Sequence, residues 1–79
     1  MTKEQIIQIL IEKTKELLPE LEKEPLSGTH SLRDVGANSL DRADIIMMTL
    51  EELDMDLPLV KLSNAKNIEG LAMVIFENA

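Results

Sequence analysis

Asn38-Ser39-Leu40-Asp41-Arg42-Ala43-Asp44-Ile45-Ile46-Met47-Met48-Thr49-Leu50-Glu51-Glu52-Leu53 is the stretch whose reading decides the fold. It opens with a helix start signal. Asn38 is a candidate N-cap, and Asp41 stands three residues later, where a carboxylate suits the positive end of a helix. On a wheel of about 100° per residue, Ala43, Ile46, Leu50 and Leu53 fall on one side, with Thr49 at its margin. That side is the expected core face. Leu40, Asp44, Met47, Met48 and Glu51 spread over the opposite arc, so apolar and acidic side chains mix where a purely solvated helix would be polar. From Asp41 to Asp54 five acids (Asp41, Asp44, Glu51, Glu52, Asp54) stand against Arg42 alone, a local charge of −4. Flexible, polarizable methionines adapt to varied surfaces, and the acids draw Lys/Arg patches. The arc reads as a partner surface. The competing reading is that so small a protein buries wide helical arcs, with both methionines in the core and the acids merely solvated.

Moving outward, Thr2-Lys3-Glu4-Gln5 has the form of a capping box and starts a first helix. Ile6, Ile7, Leu10, Ile11, Thr14, Leu17, Leu18 and Leu21 recur at helical spacing, with Gln8, Glu12, Lys15 and Glu16 on the other side, until Pro19 stops or frays it. From Pro19 to Asn38 the turn formers Pro25, Ser27-Gly28-Thr29 and Gly36 predict a long loop, anchored by Leu26, Leu32 and Val35 and able to contain a short turn of helix. Ordinary loops run about 4–6 residues, so this one implies an unusual relative direction for the helices it joins. After Asp54-Met55-Asp56-Leu57-Pro58, a short third helix is expected from Leu59 to Ser63. Asn67 then caps a last helix with Ile68, Leu71, Ala72, Ile75 and Phe76 on one face.

Composition narrows the classes. With 79 residues and no cysteine, the chain can build one modest core and neither a disulfide framework nor a thiolate metal site. Phe76 is the only aromatic, which leaves no stacking surface for nucleic acid. Acids outnumber bases 15 to 8, a charge of −7 that repels phosphate backbones and anionic membranes and favours basic partners. The apolar run near the amino terminus is broken by Gln8 and Glu12, so neither signal peptide nor membrane span is expected and the cytoplasm is the default location.

Ser39 is the residue on which function turns. A serine in a helix's first turn is ordinarily structural. Gly36-Ala37-Asn38-Ser39-Leu40 is not a Gly-x-Ser-x-Gly nucleophile elbow, and His30, the only histidine, lies in the turn-rich loop with nothing to aim it at Ser39. An esterase-like use of the pair is the weakest of the readings.

Asp34-Val35-Gly36-Ala37-Asn38-Ser39-Leu40-Asp41 closely resembles the modification motif of acyl carrier proteins, commonly Gly-x-Asp-Ser-Leu. The likeness extends across nearly the whole chain. It implies an all-α fold for a single acyl carrier domain over residues 1–79: a small four-helix bundle with a long loop between helices 1 and 2 and a short third helix. It also implies that a phosphopantetheinyl transferase moves 4′-phosphopantetheine from coenzyme A onto Ser39, supplying the thiol that the sequence lacks. The chain would then be a carrier, not an enzyme, with Leu40, Asp41, Asp44, Met47, Met48 and Glu51 read by partners. Asn38 departs from the family's usual aspartate; it keeps the cap and removes a charge beside the attachment site.

The run from Gly36 to Glu51 resembles free-standing carriers of polyketide β-branching cassettes. Such a carrier is a donor whose malonyl group comes from a malonyl/acyl transferase. A decarboxylating ketosynthase-like enzyme converts it to acetyl, and a synthase resembling hydroxymethylglutaryl-CoA synthase condenses that acetyl with a β-ketone on a separate acceptor. No metal, nucleic acid or membrane partner is implied, and a monomer is expected. Fatty-acid, D-alanyl and peptidyl carriers use the same arm and a similar fold, and an unmodified helical adaptor remains a reading of another class.

Overall fold

The computed structural model describes residues 1–79 and contains three α-helices: α1 (Lys3–Leu17), α2 (Ser39–Glu52) and α3 (Ile68–Glu77). Two 3₁₀ turns, Pro19–Leu21 and Leu59–Leu62, occupy the connections. There are no strands, and no helix is long and apolar enough to cross a membrane.

α1 begins where the sequence places it. The Thr2 hydroxyl accepts the Gln5 N–H at 3.1 Å, and Gln5 Oε1 accepts the Thr2 N–H at 2.8 Å, completing the capping box. Leu18 ends the helix, and Pro19 opens the first 3₁₀ turn, its ring unable to donate an N–H. Ile6, Ile7, Leu10, Ile11 and Thr14 form the buried stripe. Leu17, Leu18 and Leu21, expected on the same face, are only half-buried, because they lie at or beyond the helix end.

α1 is the hub: it packs against both α2 and α3, while α2 and α3 barely touch each other. The shared core includes Ile6, Leu10, Ile45, Ile68 and Ile75, all sealed from solvent. Each such side chain contributes about 1.5–3 kcal/mol by burial. Two threonines sit inside this apolar layer without cost in unmade bonds. Thr14 donates to the Leu10 carbonyl at 2.7 Å and Thr49 to the Ile45 carbonyl at 2.8 Å, each within its own helix.

Three expectations need correction. The third helix is a single 3₁₀ turn, so the expected four-helix count becomes three α-helices with two short turns. Leu59–Leu62 is too short to repay helix nucleation, Pro58 is extended, and only Leu62 of the four is buried. The core face of α2 is Ile45, Ile46, Thr49 and Leu50, rotated from the Ala43–Leu53 side. Ala43 is turned toward a cleft and Leu53 caps the helix end, so both are half-buried. Phe76 is 45% exposed, one position past the buried Ile75 and in the last turn of α3.

The loop between α1 and α2 is held at both ends of its second half. Ile68 N–H donates to the His30 carbonyl at 2.9 Å and Glu69 N–H to the Gly28 carbonyl at 2.8 Å, so the loop satisfies donors at the start of α3. A Cβ at Gly28 would stand 3.1 Å from Glu69 Cβ, which explains a glycine at this close approach. Leu32 and Ala37 are the buried anchors; Leu26 and Val35 are half-buried.

Candidate functional site

The approach to Ser39 is a Schellman-like closure followed at once by a capping box. Gly36 N–H donates to the Arg33 carbonyl and Ala37 N–H to the Leu32 carbonyl, with Gly36 at φ +106. That conformation favours glycine, and it turns Ala37, 3% exposed, into the core. Arg42 reaches back from α2 to donate Nη1 to the Ala37 carbonyl at 3.0 Å. Asn38 Oδ1 accepts the Asp41 N–H at 2.8 Å, and Asp41 Oδ2 accepts the Asn38 N–H at 3.2 Å. The residue before Ser39 is thus fixed from both sides.

Ser39 itself is the first residue of α2 and is exposed. The N–H groups of Ser39 and Leu40 have no partner within the chain, as befits a helix start, and they point the positive end of α2 into solvent. A phosphodiester on the Ser39 hydroxyl fits this environment: an accessible oxygen, free backbone donors and a favourable dipole. His30 is committed elsewhere. Its Nδ1 accepts the Ser27 N–H at 3.0 Å and lies 3.2 Å from the Ser27 hydroxyl, and it makes no hydrogen bond to Ser39, so no catalytic pair is assembled.

The residues expected to meet partners separate into two groups. Leu40 is 75% exposed and Met47 55% exposed, and Asp44 and Glu51 are also exposed. Spaced at four, three and four residues, they make one continuous stripe running away from Ser39. Asp41 and Met48 are half-buried, Asp41 because its carboxylate is engaged in the capping box. Exposed Leu59 and Val60 of the second 3₁₀ turn add apolar surface that the pattern of α2 does not announce.

On its other flank α2 borders a cleft of about 540 Å³, closed by the Leu59–Leu62 turn, the start of α3 and the long loop. Ser39 stands on its rim. Arg33, Arg42 and Lys66 also line it. Of these, only Arg42 carries a local signal, one helical turn from Ser39; the others are brought in by the loop and by the segment before α3.

Fold and site together define a small helical presenting domain, in which an exposed, rigidly placed serine has a recognition stripe beside it and no catalytic partner. A family model described as "Phosphopantetheine attachment site" matches residues 4–75. The chain belongs to this family of acyl carrier proteins: it carries covalently attached 4′-phosphopantetheine and is a carrier rather than a catalyst. The polyketide biosynthesis acyl-carrier-protein AcpK of Bacillus subtilis (strain 168) is 42% identical over 77 residues, covering 98% of this chain and 94% of that protein. A crystal structure of the curacin biosynthetic pathway HMG synthase in complex with acetyl donor-ACP contains a chain that is 45% identical. It superposes with a TM-score of 0.90 over 95% of this chain and 96% of that one. When bound, the group supplies the thiol on which an acyl thioester is held.

Proposed function

We propose that Ser39 bears the phosphopantetheine and that the protein is the acetyl donor of a polyketide β-branching system. The observation that carries the reading is the exposed Ser39 at the capped start of α2, with the Leu40–Asp44–Met47–Glu51 stripe leading from it. The full-length likeness to a chain in an HMG synthase–acetyl donor complex supports the subtype. Attachment forms a bond from Ser39 Oγ to the phosphorus of coenzyme A's pantetheine-side phosphate. The serine proton leaves, and the bond to the adenosine bisphosphate half breaks.

In this reading residues 1–79 act as one carrier domain, of the small-bundle type with the third helix reduced to a turn, working as a monomer in the cytoplasm. Its partners are a phosphopantetheinyl transferase, a malonyl/acyl transferase, a decarboxylating ketosynthase-like enzyme and a hydroxymethylglutaryl-CoA-synthase-like enzyme. Leu40, Asp44, Met47 and Glu51 meet those partners directly. Asp41 and Met48 support the surface from partly buried positions.

Reconstitution tests the subtype. Acetyl-loaded protein is offered in parallel to a β-branching synthase with a β-ketoacyl acceptor carrier and to a fatty-acid elongation system. Transfer to the β-ketone with little elongation is expected; good elongation with no β-branching transfer means a general fatty-acid carrier. A folded protein that accepts no arm at all would leave only the adaptor reading.

A further inference from the structure

Arg33, Arg42 and Lys66 are three of the chain's eight basic residues, and all line the cleft on whose rim Ser39 stands. None of the fifteen acidic residues lines it. In a chain of charge −7 this is a marked segregation. The three cations are also uncompensated: every ion pair in the molecule is made by Lys13. Arg42 commits Nη1 to the Ala37 carbonyl and keeps the rest of its fork free, while Arg33 and Lys66 are exposed. Beneath them the lining is apolar, with Leu32, Ile46, Leu62 and Leu71 among it. The volume of about 540 Å³ falls within the usual range of about 300–1,000 Å³ for small-ligand sites.

A cationic rim over an apolar floor suits a tethered group that ends in an anion. The donor reading of Ser39, on which this rests, supplies two acyl forms that differ in that respect. Malonyl ends in a carboxylate; acetyl does not. We infer that the cleft holds the malonyl-loaded arm through its carboxylate and releases the acetyl-loaded arm, so that decarboxylation itself frees the donor for the synthase. In that step the bond between the carboxylate carbon and the α-carbon breaks and carbon dioxide leaves. The electron pair stays on the α-carbon as the thioester enolate, and a proton from the decarboxylating partner or water completes the methyl group. The acyl end loses its negative charge, and the rim loses its ligand.

The test compares isotope-labelled protein in three forms, made with coenzyme A, malonyl-CoA or acetyl-CoA and a permissive transferase, each verified by intact mass. The NMR signals followed are the amides of Arg33 and Lys66 and the methyls of Leu62, Ala65 and Leu71. They are expected to shift in the malonyl form and to coincide in the acetyl and unacylated forms. More than half of the malonyl shift should vanish in the Arg33→Gln/Lys66→Gln protein, and likewise when salt is raised from about 0.05 M to about 0.5 M. If the double variant melts early, Lys66→Gln alone and the salt series give the same readout. Coincident malonyl and acetyl spectra overturn the inference while leaving Ser39 intact. A malonyl spectrum that coincides with the unacylated one also overturns it, since the cleft would then not respond to the carboxylate. Failure of any arm to attach overturns the Ser39 reading and this inference together.

Discussion

Along one flank of α2, Leu40, Asp44, Met47 and Glu51 face solvent as an acidic, partly apolar stripe. Along the other, Arg42, Ala43 and Ile46 form one wall of a cleft whose remaining charged residues are also cationic. Both flanks start at Ser39. One helix thereby separates a surface suited to basic partner proteins from a recess suited to an anionic cargo. A group attached at their common origin can turn to either side. The stripe is made by residues local in sequence; the cleft is assembled from three distant segments.

The largest expected effect comes from inverting the stripe. Asp44→Lys/Glu51→Lys should lower kcat/KM for acetyl transfer by about 2–4 kcal/mol, or roughly 30- to 1,000-fold, because like charges then meet across the interface. The thermal midpoint should hardly move, since both residues are exposed. Next comes a contrast between adjacent methionines. Met47→Ala should cost about 1–2 kcal/mol in partner use with little change in stability. Met48→Ala, at a half-buried position, should cost about 1–2 kcal/mol of folding stability instead. Transfer rates measured beside urea midpoints separate the two.

A smaller pair of effects concerns the turns that bracket α2. Gly36 closes the turn before it, and Asp54, with φ +54, closes a similar one after it, where Met55 N–H donates to the Leu50 carbonyl. Gly36→Ala should destabilise by about 1–2 kcal/mol and displace Ser39 from both flanks. Asp54→Gly should stabilise by up to about 1 kcal/mol and leave the site alone. Urea unfolding checks both.

The smallest effect lies at the far end of α2. Lys13 on α1 bridges Glu52 at 2.8 Å and Glu16 at 3.2 Å. Its hydrogen bonds to Glu52, and then to Glu16, raise its pKa above the ordinary 10.5. A lysine raised by folding stabilises fully below its unfolded pKa and ceases to do so as pH rises through the folded value. The wild-type urea midpoint should therefore decline above about pH 10.5 more than that of Lys13→Met. The chain has no tyrosine or cysteine to obscure that window.

The same local-versus-distant contrast explains what was legible in the sequence. The caps at Thr2, Asn38 and Asn67, the stop at Pro19 and the buried stripe of α1 from Ile6 to Thr14 all follow from neighbours within a turn, and each appears as expected. The rotation of α2 is hidden in the sequence because Thr49 looks polar, yet its hydroxyl is satisfied by its own helix and so sinks with Ile45. The apolar composition of Leu59–Leu62 resembles that of a helix, whereas four residues after an extended Pro58 sustain only one 3₁₀ turn. Ser39 and its exposed stripe were visible in a run of about one helix. Arg33 and Lys66 are not legible as neighbours of Ser39, because only the path of the long loop and of the segment before α3 brings them there.

The claim on which both flanks depend is that the arm is attached to Ser39. Apo protein incubated with coenzyme A and a permissive transferase, then digested and analysed by mass spectrometry, tests it most directly. The expected result is a single phosphopantetheine on the peptide containing Ser39, absent from a Ser39→Ala protein that keeps its helical signal and thermal midpoint. A folded wild-type protein that gains no mass with several transferases, or an addition that persists in Ser39→Ala, would contradict it.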